Sequence, residues 1–174
     1  MSTSASPRAR RGARPGTVVT WDVGFALPPA RTDDEALQAA ALANRAYARL
    51  LLSGTAVSTT QYAERLAERG VSSEAARARI KRDRARGRLV TVHHEGEALV
   101  PTFQLDVAFD HDPAAGDAVA ALLDEGVGPW GVWDWFETPN SWADGRTPAQ
   151  LLVDHDHELL ATALAARIGP GPDA

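Results

Sequence analysis

Apolar positions recur with a helical period through most of this chain and with a strand period at two places. The first long helical stretch opens at Thr32-Asp33-Asp34-Glu35, a capping box in which a hydroxyl and a carboxylate satisfy the first free N–H groups. Its apolar stripe reads Leu37, Ala40, Ala41, Asn44, Tyr47, Ala48 and Leu51, broken only by Asn44, and Ser53-Gly54 ends it. A packing helix is expected there. Ser58-Thr59-Thr60 caps a shorter helix, Gln61 to Glu68, with Tyr62, Ala63 and Leu66 inward. Gly70-Val71 turns the chain, Ser72 caps a helix from Ser73 to Arg86, and Gly87 stops it. Helix, glycine turn and capped second helix form the helix-turn-helix outline. Ala63 is small enough to let the two helices cross closely, and Leu66, Val71, Ala76 and Ile80 fill the space between them.

Leu89-Val90-Thr91-Val92-His93 and Ala98-Leu99-Val100 flank His94-Glu95-Gly96-Glu97, two β-rich runs about a glycine turn, and predict a hairpin. It resembles the wing of winged helix-turn-helix proteins, but Glu95 and Glu97 at the tip repel phosphates, so a structural brace is expected. Asp112-Pro113 opens a helix with Val119, Leu122 and Leu123 on one face and Gly126 as its stop. Pro129 starts a short helix ended by Thr138-Pro139-Asn140, because the residue before a proline leaves the α region. Asp144-Gly145 is a turn, Thr147-Pro148 opens another helix, and Asp154 or Asp156 caps the last. On that last helix Leu159, Leu160, Ala163, Leu164 and Ile168 make one stripe, and Gly169-Pro170-Gly171-Pro172 stops it. At the other end, Val19, Trp21, Val23 and Phe25 alternate as a short strand or extended arm, after a disordered segment holding Arg8, Arg10, Arg11 and Arg14. The expected fold is mainly α: a basic arm (1–31), a helix-turn-helix half with a β-hairpin (32–105), a small helical Trp-rich domain (112–169) and a flexible tail (170–174).

Charge divides along the same line. Residues 1–88 carry 16 of the 18 basic residues against 8 acidic ones, and residues 89–174 carry 2 basic against 15 acidic. The net charge of −5 hides two surfaces of opposite sign, the basic one suited to a polyanion. Around the helix at 73–86, Ala76, Arg79, Ile80 and Asp83 share the inner half with Ser72, while Glu74, Arg77, Ala78, Lys81, Arg82 and Ala85 lie outward. The N-terminal part of such a helix enters the major groove, so Ser73, Glu74, Arg77 and Lys81 are the candidates for base edges. Arg79, Arg82, Arg84, Arg86 and Arg88 are placed for flanking phosphates. From Thr60 to Val90 nine basic residues stand against four acidic ones, too few to neutralise them.

Four of the five tryptophans, Trp130, Trp133, Trp135 and Trp142, fall inside thirteen residues. Most must be the core of a unit with few other large side chains; Trp133 and Phe136 are read as inward, and Trp135 or Trp142 as free to make a contact. The run W-x-W-F-x-T-P-N-x-W-x-x-G-R-T-P-x-x-L-L from Trp133 to Leu152, followed by an acidic gap and an Ala/Leu helix, resembles the toxin-binding domain of Xre/MbcA/ParS-type antitoxins. Gly87-Arg88-Leu89 with Pro101–Leu105 is similar to the DNA-binding half that precedes it. The resemblance implies an antitoxin that binds and blocks a RES-domain, NAD-degrading toxin and autoregulates its operon by binding operator DNA, as a homodimer or a hetero-oligomer with the toxin. It also implies that the toxin meets the last helix and the residues after it, which points to Arg146, His155, His157, Arg167 and the Gly-Pro tail, and Trp135 and Trp142 join them as candidate contacts. A stand-alone helix-turn-helix regulator, whose acidic half dimerises or binds another protein, is the alternative.

Candidate chemistry is thin. There is no cysteine, so disulfides, thiolate nucleophiles and Cys-based zinc sites are excluded. Asp154-His155-Asp156-His157-Glu158 has metal-ligand residue types, but helical neighbours one or two apart point in different directions, and a cap is the simpler reading. Asp106, Asp110, Asp112 and Asp134 stand beside no recognisable nucleophile, and no phosphate-cradling glycine loop is present. No enzyme, cofactor or metal is expected, no apolar run reaches membrane-spanning length, and a cytoplasmic protein without a secretory signal is the expectation.

Overall fold

The computed structural model describes residues 32–106 and 108–169; the expected arm with its period-two segment and the Gly/Pro tail lie outside the described residues. Helix α1 (Asp33–Leu52) starts at Thr32, whose hydroxyl accepts from Glu35 N at 3.2 Å, and carries three acids in its first turn and Arg49 in its last. The face it buries differs from the predicted stripe. Tyr47 and Leu50 are buried, with Ala43 and Leu51 partly so, whereas Leu37, Ala41, Asn44 and Ala48 stay exposed. Tyr47 belongs to both sides, its ring centroid 4.5 Å from that of Trp130, and Ala43 and Leu50, outside the predicted stripe, complete the buried face.

Strand β1 (Ala56–Ser58), which the sequence pattern does not signal, leads into α2 (Thr59–Ala67), a glycine turn and α3 (Ser73–Ala85). Ser58 and Gln61 complete a capping box on α2, and Ser72 Oγ caps α3. The hairpin forms from β2 (Val92–His94) and β3 (Glu97–Pro101), turning through Glu95 (φ 50°) and Gly96 (φ 83°), both left-handed as a two-residue hairpin loop requires. β1 pairs antiparallel with β3, giving a three-stranded sheet in the order β1-β3-β2. Tyr62, Ala63 and Leu66 of α2, Ala76 and Ile80 of α3, Leu89 and Val100 form one apolar cluster between the sheet and the helix pair, as the predicted crossing requires. Leu89, Val90 and Thr91 stand outside the sheet instead of extending the hairpin. The backbone of Val90 bonds to the buried Gln104 side chain, its N–H donating at 2.6 Å and its carbonyl accepting at 3.1 Å, which ends the ladder there.

After a 3₁₀ turn at Thr102–Gln104 and the connector that follows it, α4 (Pro113–Asp124), α5 (Pro129–Glu137), a second 3₁₀ turn (Ser141–Ala143), α6 (Pro148–Val153) and α7 (His157–Ile168) make up the acidic half. The caps are those the sequence offers: Asp112 on α4, Thr147 on α6, and Asp156, not Asp154, on α7. The second, larger apolar cluster centres on Trp130, Trp133 and Phe136 of α5. It takes in Tyr47 and Leu50 of α1, Val92 of β2 and Phe103, besides Val119, Leu122, Leu151, Leu160 and Ala163. The Phe103 and Phe136 rings stack at 3.8 Å, and Arg49 reaches Asp134 at 2.5 Å and Thr138 at 3.0 Å. Packing therefore crosses the division expected between 32–105 and 112–169, because the short C-terminal helices need the aromatic surface of α1 and Phe103 to close their core. The architecture is mainly α with one small antiparallel sheet.

Trp133 has no exposed surface, so Trp133→Ala is expected to cost about 3–5 kcal/mol. Because its cluster spans both halves, urea unfolding followed by indole emission and by far-UV circular dichroism should give one coincident transition. Two separated transitions contradict the shared core.

Candidate nucleic-acid interface and partner face

Helix α3 is sorted by sign and depth. Ala76 and Ile80 anchor it on α2, and Arg79 and Asp83 sit half-buried at the edge of that contact. Ser73, Glu74, Arg77, Lys81, Arg82 and Arg84 are all exposed, as the outward placing of Glu74, Arg77, Lys81 and Arg82 requires. Arg77, Lys81 and Arg84 line a cleft of about 510 Å³, closed by Thr59 at the start of α2 and Ala98 of β3. Thr59 and Ala98 are additions that no spacing along the chain reveals, since the sheet alone brings them to α3.

The inner arginines behave otherwise. Arg79 binds Asp110 at 2.7 Å, with Asp83 at 3.9 Å, and Arg69 binds the same Asp110 at 3.2 Å as well as the Ala108 carbonyl. Arg88 pairs with Asp117 at 3.2 Å, and Arg65 lies over the Phe109 ring. The expectation that Arg79 and Arg88 meet phosphates is thereby corrected: both are committed to acids of the C-terminal half. Counting acids only between Thr60 and Val90 misses these partners. After they are paired, Arg77, Lys81, Arg84 and Arg86 have no ion-pair partner among the described residues, and Arg82 has only Asp83 at 3.7 Å.

No family model, no curated protein and no solved structure matches this chain.

Of the six residues expected to meet a protein partner, Arg146, His155 and His157 lie around the turn before α7, and Trp135 and Arg167 line one cleft. Trp142 is 61% exposed on the second 3₁₀ turn, but Trp135 is only 9% exposed. Trp135 is the floor of a cleft of about 550 Å³, with Gly131 on its own helix, Asp134, Thr138 and, from the end of α7, Arg167. Its indole Nε1 is buried without a hydrogen-bond partner among the described residues. Arg146 is a staple, not a free contact: it donates to Asp154 at 3.1 Å and Asp156 at 2.8 Å and ties the loop before α6 to the turn before α7. Asp156 serves that arginine and the α7 cap together, and the Arg146 hydrogen bond, then the bond from Leu159 N, hold its carboxyl below the usual range. His155, in a left-handed conformation at φ 57°, lines a separate cleft with Phe103, Glu137 and Leu152. Burial raises the Glu137 carboxyl there, against a Thr55 hydrogen bond and the Arg49 charge. His157 is exposed at the start of α7, and the two imidazole rings stand 6.2 Å apart. Among the described residues no group of three or more His, Asp or Glu is placed to hold a metal ion.

Asp110 is held below its ordinary value chiefly by the hydrogen bond from Arg79, with Arg69 adding to it against a desolvation cost. A carboxyl lowered on folding stabilises the folded state above its unfolded value and loses that contribution as pH falls through the folded one. Asp110→Asn should therefore be less stable than the parent at neutral pH. The gap should narrow below about pH 4 and close in stronger acid; a gap of constant size in urea titrations across that range contradicts the ion-pair account.

Proposed function

We propose that this protein is a cytoplasmic antitoxin that binds operator DNA through α3 and neutralises a RES-domain, NAD-degrading toxin through its helical half, with no catalysis of its own. One observation carries the reading. Arg77, Lys81 and Arg84 of α3 stand beside an open cleft without an ion-pair partner among the described residues, while acids of the other half take Arg79 and Arg88. Leaving cations unpaired on one face, when acids outnumber bases in the chain, suits a polyanionic partner. Arg77 and Lys81 are the base-edge candidates, and Arg84 with Arg86 tracks the backbone. No helix among the described residues is long and apolar enough to cross a membrane.

For the partner half, support comes from the motif between Trp133 and Leu152 and from the cleft between α5 and α7. Arg167 at the rim adds a donor for a carboxylate. Steric occlusion of the toxin's active site is the mechanism this predicts. A stand-alone regulator lacks such a partner, and the two readings separate on co-expression: an antitoxin has a RES-domain toxin encoded beside it and rescues growth against it, a lone regulator has neither.

DNA binding has its own test by fluorescence anisotropy on the upstream duplex and on scrambled duplexes. Arg77→Ala should lose about 1–3 kcal/mol on the operator alone and relax sequence preference. Arg84→Ala should weaken every duplex similarly and lower the salt slope by about 1. Equal binding by parent and both variants on all duplexes overturns the assignment of α3.

A further inference from the structure

Helix α1 carries a second apolar stripe that the fold does not use. Leu37 is 69% and Leu52 87% exposed, and Ala41, Asn44 and Ala48 between them are exposed too. At about 100° per residue these five positions share an arc of roughly 80°, turned about 120° from the side that packs Ala43, Tyr47 and Leu50 on the body. The helix is about 30 Å long, and nothing from Thr32 to Leu42 is buried. The body therefore holds α1 by its C-terminal half and leaves this stripe open from end to end.

The order of the stripe says what covers it. Read from either end it is leucine, alanine, a polar centre, alanine, leucine: Leu37 and Leu52 lie equally far from the midpoint between Asn44 and Arg45, as do Ala41 and Ala48. We infer that α1 is the seam of a two-fold homodimer in which two copies pack this stripe antiparallel. A two-fold interface must be complementary to itself, and this one is, with Leu37 of each copy meeting Leu52 of the other and Ala41 meeting Ala48. The paired alanines let the helix axes approach closely. At the centre Asn44 of one copy faces Arg45 of the other, its carboxamide oxygen accepting from the guanidinium, and a polar pair there fixes the register. A foreign apolar partner requires no such symmetry. A pair of single helices is at the small end of specific interfaces, so a dimer in the micromolar range is expected. The inference stands on α1 and holds whether or not α3 binds DNA; if it does, the dimer supplies the second half-site.

The full chain without DNA is the test, and its lack of cysteine gives a clean background. Under mild oxidation Asn44→Cys should form a disulfide-linked dimer. Leu37→Cys alone should not, because its two copies sit about 22 Å apart along the seam, but mixed with Leu52→Cys it should. In sedimentation velocity Ala41→Glu, which places a charge at the closest approach, should raise the dimer dissociation constant about tenfold or more while keeping the parent's circular dichroism. A parent that stays monomeric at every concentration overturns the inference and leaves the stripe to residues 1–31 or another protein. So does a dimer that Ala41→Glu leaves intact, or a disulfide from Leu37→Cys alone.

Discussion

The grip of Arg69 and Arg79 on Asp110 is the contact on which the rest turns. It pins the connector after Leu105 against α2 and α3, so the acidic half follows at a fixed orientation. It also removes two arginines from the basic surface, and Arg88–Asp117 removes a third. What is left on α3 is sorted: Arg77, Lys81 and Arg84, without ion-pair partners among the described residues, are exposed, and Arg79 is turned to the body. A basic sequence half becomes one basic face only because the other half supplies the acids that cancel the remainder. Exposed pairs of this kind contribute little stability each, so their consequence lies in placement and in the sign of the surface more than in holding the fold.

Holding the fold falls to aromatic burial. Trp130, Trp133 and Phe136 present three large side chains on one side of a nine-residue helix, and α1, Phe103, α4, α6 and α7 close around them. None of these short helices has enough apolar surface to be stable alone. The smaller cluster of Tyr62, Leu66, Ile80 and Val100 holds α3 to the sheet, which fixes where the outward side chains of α3 point. The two clusters thus divide the work, one joining the halves and the other aiming the basic helix.

Much of this was legible in the chain because it is local. Caps at Thr32, Ser58, Ser72, Asp112 and Thr147 and stops at Gly87 and Gly126 act within a turn of their helix, and each stands where a boundary falls. The outward set on α3 followed from helical geometry once Ala76 and Ile80 marked the inner side. What depended on distant partners was not legible. Arg79 and Asp110 are 31 residues apart, and nothing in either segment announces the other. The buried side of α1 was misplaced because the predicted stripe merged two apolar sides of the helix: Tyr47 and Leu51 pack on the body with Ala43 and Leu50, whereas Leu37, Ala41, Asn44 and Ala48 do not. The burial of Trp135 was not legible because the cleft above it is built from α5 and the far end of α7, nor were the ion pairs of Arg146, because its acids lie beyond an intervening helix.

The salt dependence of DNA association by the unmodified protein tests the central claim most directly. Arg77, Lys81, Arg82 and Arg84 of α3 and Arg86 at its C-cap are the exposed cations there, and if most of them neutralise phosphates, a plot of log association constant against log salt should fall with a slope of about −4 per protomer bound. A slope near zero, or no association at low salt, would contradict the claim that folding leaves this face unpaired for a polyanion.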